Sequence, residues 1–353
     1  MIIYSTAEGI LIAPPECGTA FYLACHRSDD YFNKSYYFTC HRGTGVELFI
    51  KIKWVCLRRH GAEARHSNTR EPIRMIKKVC LIVAAAIVIV GFISYSFLFG
   101  KLFPYSPLII GFSRHDLGHT VIYVQHGTEY SGLKEIDALI PKVEAFHELT
   151  FRKKPRLFIF KDDAGYRRRS ISKARFCAFY NGDVVISPWA LREVEKGEIS
   201  LEIYLRHELS HSLLHQHAGL LRAYRYPAWL LEGIAVYSAG QMGASWYPSK
   251  EETYEAMRNG NFMPPEFFKT RKEDRIPLDV KYRMTFMYSE FACIVDYLIE
   301  TYGKETFLSY MKALLRGGNQ ERAFKNLYGI EFDECIQNFR NSVNENMAIA
   351  QKS

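Results

Sequence analysis

The sequence has no Cys-x-x-Cys pair, and this absence excludes a structural zinc ribbon. Of its eight cysteines, only Cys177, Cys293 and Cys335 follow its one long apolar segment. Their wide spacing excludes a framework held together by disulfides. The sequence also lacks a second apolar segment long enough to cross a bilayer, which excludes a transporter with several spans.

Most of the chain has no large excess of positive or negative charge. The sequence contains 46 Lys and Arg against 38 Asp and Glu, a formal net charge of +8. Residues 1–78 hold 12 of the basic and 7 of the acidic side chains, which leaves 34 and 31 for the rest. This near balance gives no support to a nucleic-acid partner. With 48% hydrophobic and 24% charged residues, the composition is that of a folded globular protein.

Residues 79–100 form an apolar run of 22 residues without a charged side chain. As a helix this run would be about 33 Å long, which matches a hydrocarbon core of about 30 Å. We predict a transmembrane signal anchor with membrane lipid as its partner. Cleavage after the small-residue pattern Ser94-Tyr95-Ser96 is the alternative, and the length of the run favours an uncleaved anchor.

The charges beside this run predict its orientation. Lys101 stands alone after the run, whereas seven basic residues crowd its N-terminal side: Arg58, Arg59, Arg65, Arg70, Arg74, Lys77 and Lys78. The positive-inside rule then places the N-terminus in the cytoplasm. Residues 101–353 would lie on the other side of the cell membrane, in the periplasm if the protein is bacterial.

Residues 1–74 show no sustained helical or alternating period. By contrast, Met75-Ile76-Lys77-Lys78 is a compact start for a membrane-targeting segment, with charges directly before the apolar run. Two interpretations stay open. Residues 1–78 form a cytoplasmic N-terminal extension, or translation begins at Met75 and the residues before it are not translated.

Residues 101–353 begin with the patterns of a small mixed sheet, in a lobe that we place over residues 115–190. The β-rich segments are 119–124, 155–160 and a hairpin at 177–187. Residues 134–151 have the apolar spacing of a helix, with a break or kink at Pro141.

After this lobe the patterns are helical. Residues 198–240 contain a central helix, with Ser200 as its N-cap and Gly219 as its C-cap, and a short helix after Pro227. A helical lobe over 283–346 follows, with helical patterns at 285–302, 304–316 and 331–346. The predicted fold class is therefore α+β, with a sheet lobe, a central helix and a helical C-terminal lobe after a single transmembrane helix.

The central helix contains His207-Glu208-Leu209-Ser210-His211, an H-E-x-x-H motif. A spacing of four residues places both imidazoles on one helix face, where they can bind a single ion. Zinc accepts such ligands in a tetrahedral site that keeps one position for water. Glu208, next to the first ligand, can reach that water as a general base. The alternative is a surface helix with two ordinary histidines.

Glu232 is the predicted third ligand. It interrupts an otherwise apolar helix start 21 residues after His211, in Trp229-Leu230-Leu231-Glu232-Gly233-Ile234-Ala235. An unpaired carboxylate in that setting is costly, and a metal ion removes the cost. The alternative is a charge that complements the helix dipole.

His217 is the rival third ligand, because it stands at the third-histidine position of metzincins. That scheme requires a glycine where Leu214 stands, since the chain must turn sharply there. If the helix instead continues, His217 points away from His207 and His211. We therefore prefer Glu232 as the third ligand of one Zn²⁺ ion.

The motif and the Trp229-Leu230-x-Glu232-Gly233-x-Ala235 block resemble the gluzincin metallopeptidases of the peptidase MA-like kind, relatives of the membrane aminopeptidases and thermolysin. The resemblance covers about residues 119–345. It implies an enzyme in which His207, His211 and Glu232 bind zinc and Glu208 activates water. It also implies a peptide or protein substrate aligned along an edge strand, for which we expect residues 183–187.

The departures from these relatives are informative. No G-x-M-E-N stretch occurs, so the acidic group that binds a free substrate N-terminus in the aminopeptidases is missing, and we expect an endopeptidase. In thermolysin an Asp supporting a ligand histidine follows the third ligand by four residues. Val236 stands there, which leaves that supporting role unassigned.

The last functional residue to predict is the one that would donate a hydrogen bond to the oxyanion of the reaction. All 12 histidines lie at or before His217, so a donor further along the chain is Tyr or Arg. The resemblance makes Tyr288 the candidate catalytic residue, and the alternative is a core aromatic residue among Phe286, Met287 and Phe291. The predicted function is a membrane-anchored zinc metallopeptidase; the alternative is a non-catalytic membrane-tethered zinc-binding or assembly protein with the same fold.

Overall fold

The computed structural model describes residues 2–6, 9–13, 21–24, 35–40, 48–53 and 70–350. The chain divides into two compact units, residues 1–78 and residues 79–353. Arg58, Arg59 and Arg65 of the basic flank lie outside the described residues.

The first unit contains short antiparallel strands. β1 (Ile2–Thr6), β2 (Gly9–Ala13) and β3 (Phe21–Ala24) form one sheet, and β4 (Ser35–Cys40) pairs with β5 (Leu48–Lys53). The sequence pattern did not predict these strands.

Helix α1 (Arg70–Leu98) contains the predicted apolar run up to Leu98, two residues before the predicted end. Its segment Lys78–Leu98 is long and apolar enough to cross a membrane, and no other helix of the described residues meets that test. Every side chain from residue 79 to residue 95 is exposed, so this helix does not contribute to a protein core.

The second unit begins with a five-stranded mixed sheet. Its strands are β6 (Phe112–Asp116), β7 (Val121–Gln125), β8 (Arg156–Ile159), β9 (Phe176–Ala178) and β10 (Val184–Ile186), in the order β6-β7-β8-β10-β9. β7, β8 and β10 are parallel, and β6 and β9 pair antiparallel at the two edges. The predicted small mixed sheet is confirmed.

The predicted edge strand is wrong. Residues 184–186 lie inside the sheet between β8 and β9, and β9 is the edge next to them. All three side chains of β10 are buried, as expected of a strand that is covered on both faces. The hairpin around Asn181-Gly182 was predicted, but its local pattern does not tell which arm pairs with β8.

Helices connect and follow these strands. Before the central helix they are α2 (Leu133–Asp137), α3 (Ile140–His147), α4 (Asp163–Arg169) and α5 (Pro188–Glu195). After them come α6 (Leu201–Ala218), α7 (Leu220–Ala223), α8 (Ala228–Ala239), α9 (Lys250–Arg258), α10 (Arg283–Tyr302), α11 (Lys304–Leu315), α12 (Gln320–Tyr328) and α13 (Phe332–Ala350). The mixed α+β class, mostly helical, is confirmed.

Local signals account for the ends of these helices. The Ser200 side chain accepts a hydrogen bond from the Ile203 amide at the start of α6, and the Gly219 amide donates to His215 O at 2.8 Å at its end. Pro141 lies in the first turn of α3, so the predicted helix over 134–151 is two helices.

Helix α6 lies between the sheet and the helical lobe. Leu205, Leu209 and Leu213 pack against the sheet core. Its opposite side meets α8, which in turn packs against α10. A Cβ atom at Gly233 would lie 2.7 Å from Phe291 O, so only glycine permits this approach of α8 to α10. The packing fixes α8, and with it Glu232, beside the motif helix.

Candidate metal centre

The motif histidines meet on the face of α6 that turns away from the sheet. His207 and His211 are 5% and 7% exposed, and their ring centroids lie 4.6 Å apart. The two Nε2 atoms are 3.0 Å apart. Helical spacing therefore brings both imidazole nitrogens to one buried point, as the motif predicts.

Glu232 of α8 completes the group. Its Oε2 lies 3.5 Å from His207 Nε2 and 3.3 Å from His211 Nε2, and its side chain is almost as buried as the histidines. Tetrahedral zinc with bonds near 2.0 Å places its ligand atoms about 3.3 Å apart. The three separations of 3.0, 3.3 and 3.5 Å fit that geometry. The donor set of two imidazoles and a carboxylate therefore fits zinc.

The electrostatics of the group also suit a cation. Burial alone would raise the pKa of Glu232, but His211, His207 and Lys269 outweigh burial and hold this pKa well below its usual range. Burial would likewise lower the pKa of His207, yet the carboxylates of Glu232 and Glu208 raise it. The carboxylate therefore stays ionised and favours positive charge between the three side chains.

Gln241 supports His207 and was not predicted from the sequence. Its Oε1 accepts a hydrogen bond from His207 Nδ1 at 2.8 Å, which directs the lone pair of Nε2 toward Glu232. Gly240 adopts a left-handed φ of 66° at the end of α8 and turns the chain back toward α6. Gln241 is therefore the candidate for the supporting role that Val236 left unassigned.

Lys269 is a second contact that the sequence did not predict. Its Nζ lies 2.9 Å from Glu232 Oε1, while Oε2 of the same carboxylate faces the histidines. The two oxygens thus have different partners. Lys269 itself has a left-handed φ of 57°, and its amide donates to Glu273 at 2.7 Å.

The side chain of Glu208 extends from α6 to the edge strand β9. Its Oε2 accepts a hydrogen bond from the Ala178 amide at 2.6 Å. The side chain is half-buried, unlike the fully buried histidines on either side of it. This position brings the predicted base beside the edge strand of the sheet.

Burial and the Glu232 carboxylate raise the pKa of two tyrosines. The Tyr288 ring lies 6.4 Å from the His207 ring, and burial together with the nearby Glu232 carboxylate raises the pKa of Tyr288 well above its ordinary value. Phe286, Met287 and Phe291 are fully buried, whereas Tyr288 is only half-buried. Tyr247, which was not predicted from the sequence, has a pKa raised by burial, by Tyr204 and by Glu232 and Glu208.

The remaining histidines of α6 do not join the group. The helix continues through Leu214 to Ala218, and His217 Nε2 is 2.8 Å from Thr150 O on the other side. The His215 ring stacks 6.2 Å from His211, and burial lowers the pKa of His215 to about 4. Its Nδ1 is 3.1 Å from Phe179 O.

Comparison with known proteins agrees with this geometry. A family model described as the Peptidase MA superfamily matches residues 193–345, a stretch that contains the three candidate ligands, Glu208 and Tyr288. The match supports a gluzincin-like peptidase family, whose members are generally zinc-dependent. No curated protein matches the chain.

Proposed function

We propose that this chain is a zinc-dependent endopeptidase anchored to a membrane through α1. One observation carries the proposal: two imidazole nitrogens and a carboxylate oxygen, all buried, lie 3.0 to 3.5 Å apart, and the sequence around them matches the family model of a peptidase superfamily. The exposed apolar side chains of α1 support the anchor, because such a helix requires an apolar surrounding.

His207, His211 and Glu232 would hold the ion. The chemistry that zinc supplies in such a site is polarisation of the scissile carbonyl and a lower pKa for water. Glu208 then accepts the proton of the attacking water through its carboxylate and delivers it to the leaving amine. The Ala178 amide fixes Oε2 of Glu208, and Oε1 makes no hydrogen bond to the described residues, so that oxygen is available for the proton.

The edge strand β9 is the best candidate for aligning the substrate. Phe179 N donates to Asp183 O, and Ser187 N donates to Arg175 O. The backbone groups of Arg175 and Phe179, on the β9 arm of the hairpin, are therefore directed toward the β10 arm. Antiparallel strands alternate the direction of their peptide groups, and Phe176 therefore directs its N–H and C=O away from β10. An extended peptide can pair there, beside Glu208.

Tyr288 is our candidate donor to the developing oxyanion. Its phenol stays protonated because burial and Glu232 raise its pKa, so it can donate a hydrogen bond. Tyr288→Phe should lower kcat by about a hundredfold and leave the zinc content unchanged. An unchanged kcat would assign Tyr288 to packing alone.

The test of the function compares two variants of the full chain. Glu208→Gln should retain one zinc per chain but lose peptide cleavage, and Glu232→Ala should lose the zinc as well. Glu202→Gln is the matched control, since Glu202 is an exposed carboxylate on the same helix that pairs with Lys142. Zinc-loaded wild-type protein that cleaves no peptide in a broad library would instead indicate a binding or assembly protein.

A further inference from the structure

An apolar and basic surface surrounds α7, at the end of the motif helix. Leu220, Leu221 and Tyr224 are 58%, 79% and 77% exposed. Single exposed leucines are ordinary, but three large apolar side chains within five residues form a patch that requires a partner. Arg222 and Arg225 interleave with them in the sequence.

Contacts place this surface on the side of the domain where α1 ends. Tyr105 lies seven residues after the end of α1, and its ring is 5.6 Å from that of Phe179. The Asn181 side chain donates to Pro104 O at 2.8 Å. Tyr180, between Phe179 and Asn181 in the sequence, has its ring 6.2 Å from the Tyr224 ring. The turn at 179–181 therefore bridges the segment after α1 and the patch on α7.

Further exposed apolar residues lie at the same end. Lys101 Nζ donates to Ser170 O, beside Ile171, and Arg169 donates to Ile110 O while its guanidinium lies 5.7 Å from the Phe99 ring. Eight of the eleven large apolar side chains that are exposed after α1 in the described residues belong to these segments: Leu102, Leu108, Ile110, Ile171, Tyr180, Leu220, Leu221 and Tyr224. Exposed apolar surface is thus concentrated around the exit of α1.

The charges beside α7 favour an anionic partner. Arg222, Arg225 and Arg316 line a cavity of about 540 Å³. None of their guanidinium groups forms an ion pair or hydrogen bond with another of the described side chains. Unpaired arginines interleaved with leucine and tyrosine are typical of surfaces that enter the headgroup layer, where phosphates meet the arginines and apolar side chains reach the acyl chains.

We propose that the surface formed by Leu220, Leu221, Tyr224, Arg222, Arg225 and Arg316 docks on the bilayer that α1 spans and binds anionic lipid headgroups. The proposal rests on the proposed membrane anchor. Gly219, at the end of α6, lies eight residues after His211, which corresponds to a helical rise of about 12 Å. Docking would hold the candidate metal centre close to the lipid surface, so the substrates would be peptide segments close to the membrane.

The test uses the full chain in lipid nanodiscs, with an environment-sensitive fluorescent amino acid at one position at a time. Position 221 tests docking, position 88 within α1 tests the span, and position 284 is the control. Met284 is also an exposed apolar residue, 49% accessible, but it lies outside the docking surface. Spin-labelled lipids then quench any fluorophore that enters the bilayer.

Quenching at 221 should be at least about threefold stronger than at 284, and phosphatidylglycerol in the phosphatidylcholine disc should strengthen it. Replacing all three arginines by glutamine should remove the effect of phosphatidylglycerol. If the fluorophore at position 88 is quenched but the one at position 221 is quenched no more than the one at 284, the membrane anchor is supported and the docking proposal is overturned. The surface would then be available for a protein partner. If 88 is not quenched, the anchor itself fails.

Discussion

Gln241 is the residue that we expect to orient the His207 ligand. Gln241→Leu removes the acceptor for Nδ1, so zinc affinity should fall by about 10- to 100-fold, measured by competition with a chelator. Gln241→Glu keeps an acceptor and should retain the affinity. Gln216→Leu is the matched control, because Gln216 is also a buried glutamine near the motif but accepts from the Lys153 amide. Equal losses for the two leucine variants would contradict the role.

Lys269 offsets the charge of Glu232 when no metal is bound. Lys269→Met should therefore destabilise the metal-free protein more than the zinc-loaded protein, because the ion replaces the lost positive charge. The lysine side chain is 51% exposed, so solvent screening limits the effect to about 1 kcal/mol. Thermal unfolding with and without zinc measures it, with Lys272→Met, whose Nζ lies over the Phe267 ring, as control. An equal loss of stability in the metal-free and the zinc-loaded protein would contradict this role of Lys269.

We expect His147 to make the stability of the domain depend on pH. Burial lowers the pKa of His147 from 6.5 to about 4, against the effect of its hydrogen bond with Val143 O. The unfolded chain therefore takes up the proton first as the pH falls, and stability decreases between pH 6.5 and pH 4. At pH 5 the loss is about 2 kcal/mol.

His147→Gln should lack this part of the pH dependence. We expect the unfolding free energy of the metal-free wild type to fall about 2 kcal/mol more than that of the variant between pH 7 and pH 5. His119→Gln replaces an exposed histidine and is the control. Parallel curves for wild type and His147→Gln would show that His147 contributes nothing.

The four residues of the candidate chemistry were predictable because each lies in a local pattern. His207, Glu208 and His211 follow from helical spacing, and Glu232 from a charge within an apolar helix start. Gln241 and Lys269 stand 34 and 37 residues from their partners. Their contacts depend on how α8 and the loop after α9 return to α6, which no spacing in the sequence encodes.

The edge strand β9 leads to a prediction about bound peptide. A non-hydrolysable peptide paired with β9 should slow exchange of the Phe176 amide by at least about tenfold. The Cys177 amide faces β10 in the same strand, so its exchange should not change and it serves as the internal control. Hydrogen exchange read at single residues measures both. Protection that appears instead on β6, the opposite edge, would contradict this substrate path.

Helices were predicted correctly from the sequence where they are long or have recognisable capping residues. The long helices α6, α10 and α11 were predicted, with Ser200 and Gly219 as the ends of α6. Helices α4, α5, α7, α9 and α12 were not predicted. They have only four to nine residues, and α9 lies in a polar stretch where the capping box at Ser249 and Glu252 is its local signal. The neighbour of β8 was not predictable, because pairing is decided by the whole sheet.

We expect the charges beside α1 to set the orientation of the chain in the membrane that α1 is proposed to span. Arg70, Arg74, Lys77 and Lys78 precede the apolar segment and Lys101 follows it, which favours a cytoplasmic N-terminal side. In sealed vesicles with the cytoplasmic face outward, a tag after Ser353 should resist protease until detergent is added.

Reversing the four charges before the segment to glutamate should invert part of the population and make this tag accessible. Changing Glu198 and Glu251 to lysine is the control, because these residues are far from the segment along the chain and are not counted by the positive-inside rule. Digestion of the wild-type tag in intact vesicles would place the candidate metal centre in the cytoplasm. The docking surface would then face the inner leaflet, whose anionic lipids suit its arginines equally well, so sidedness and docking are separate questions.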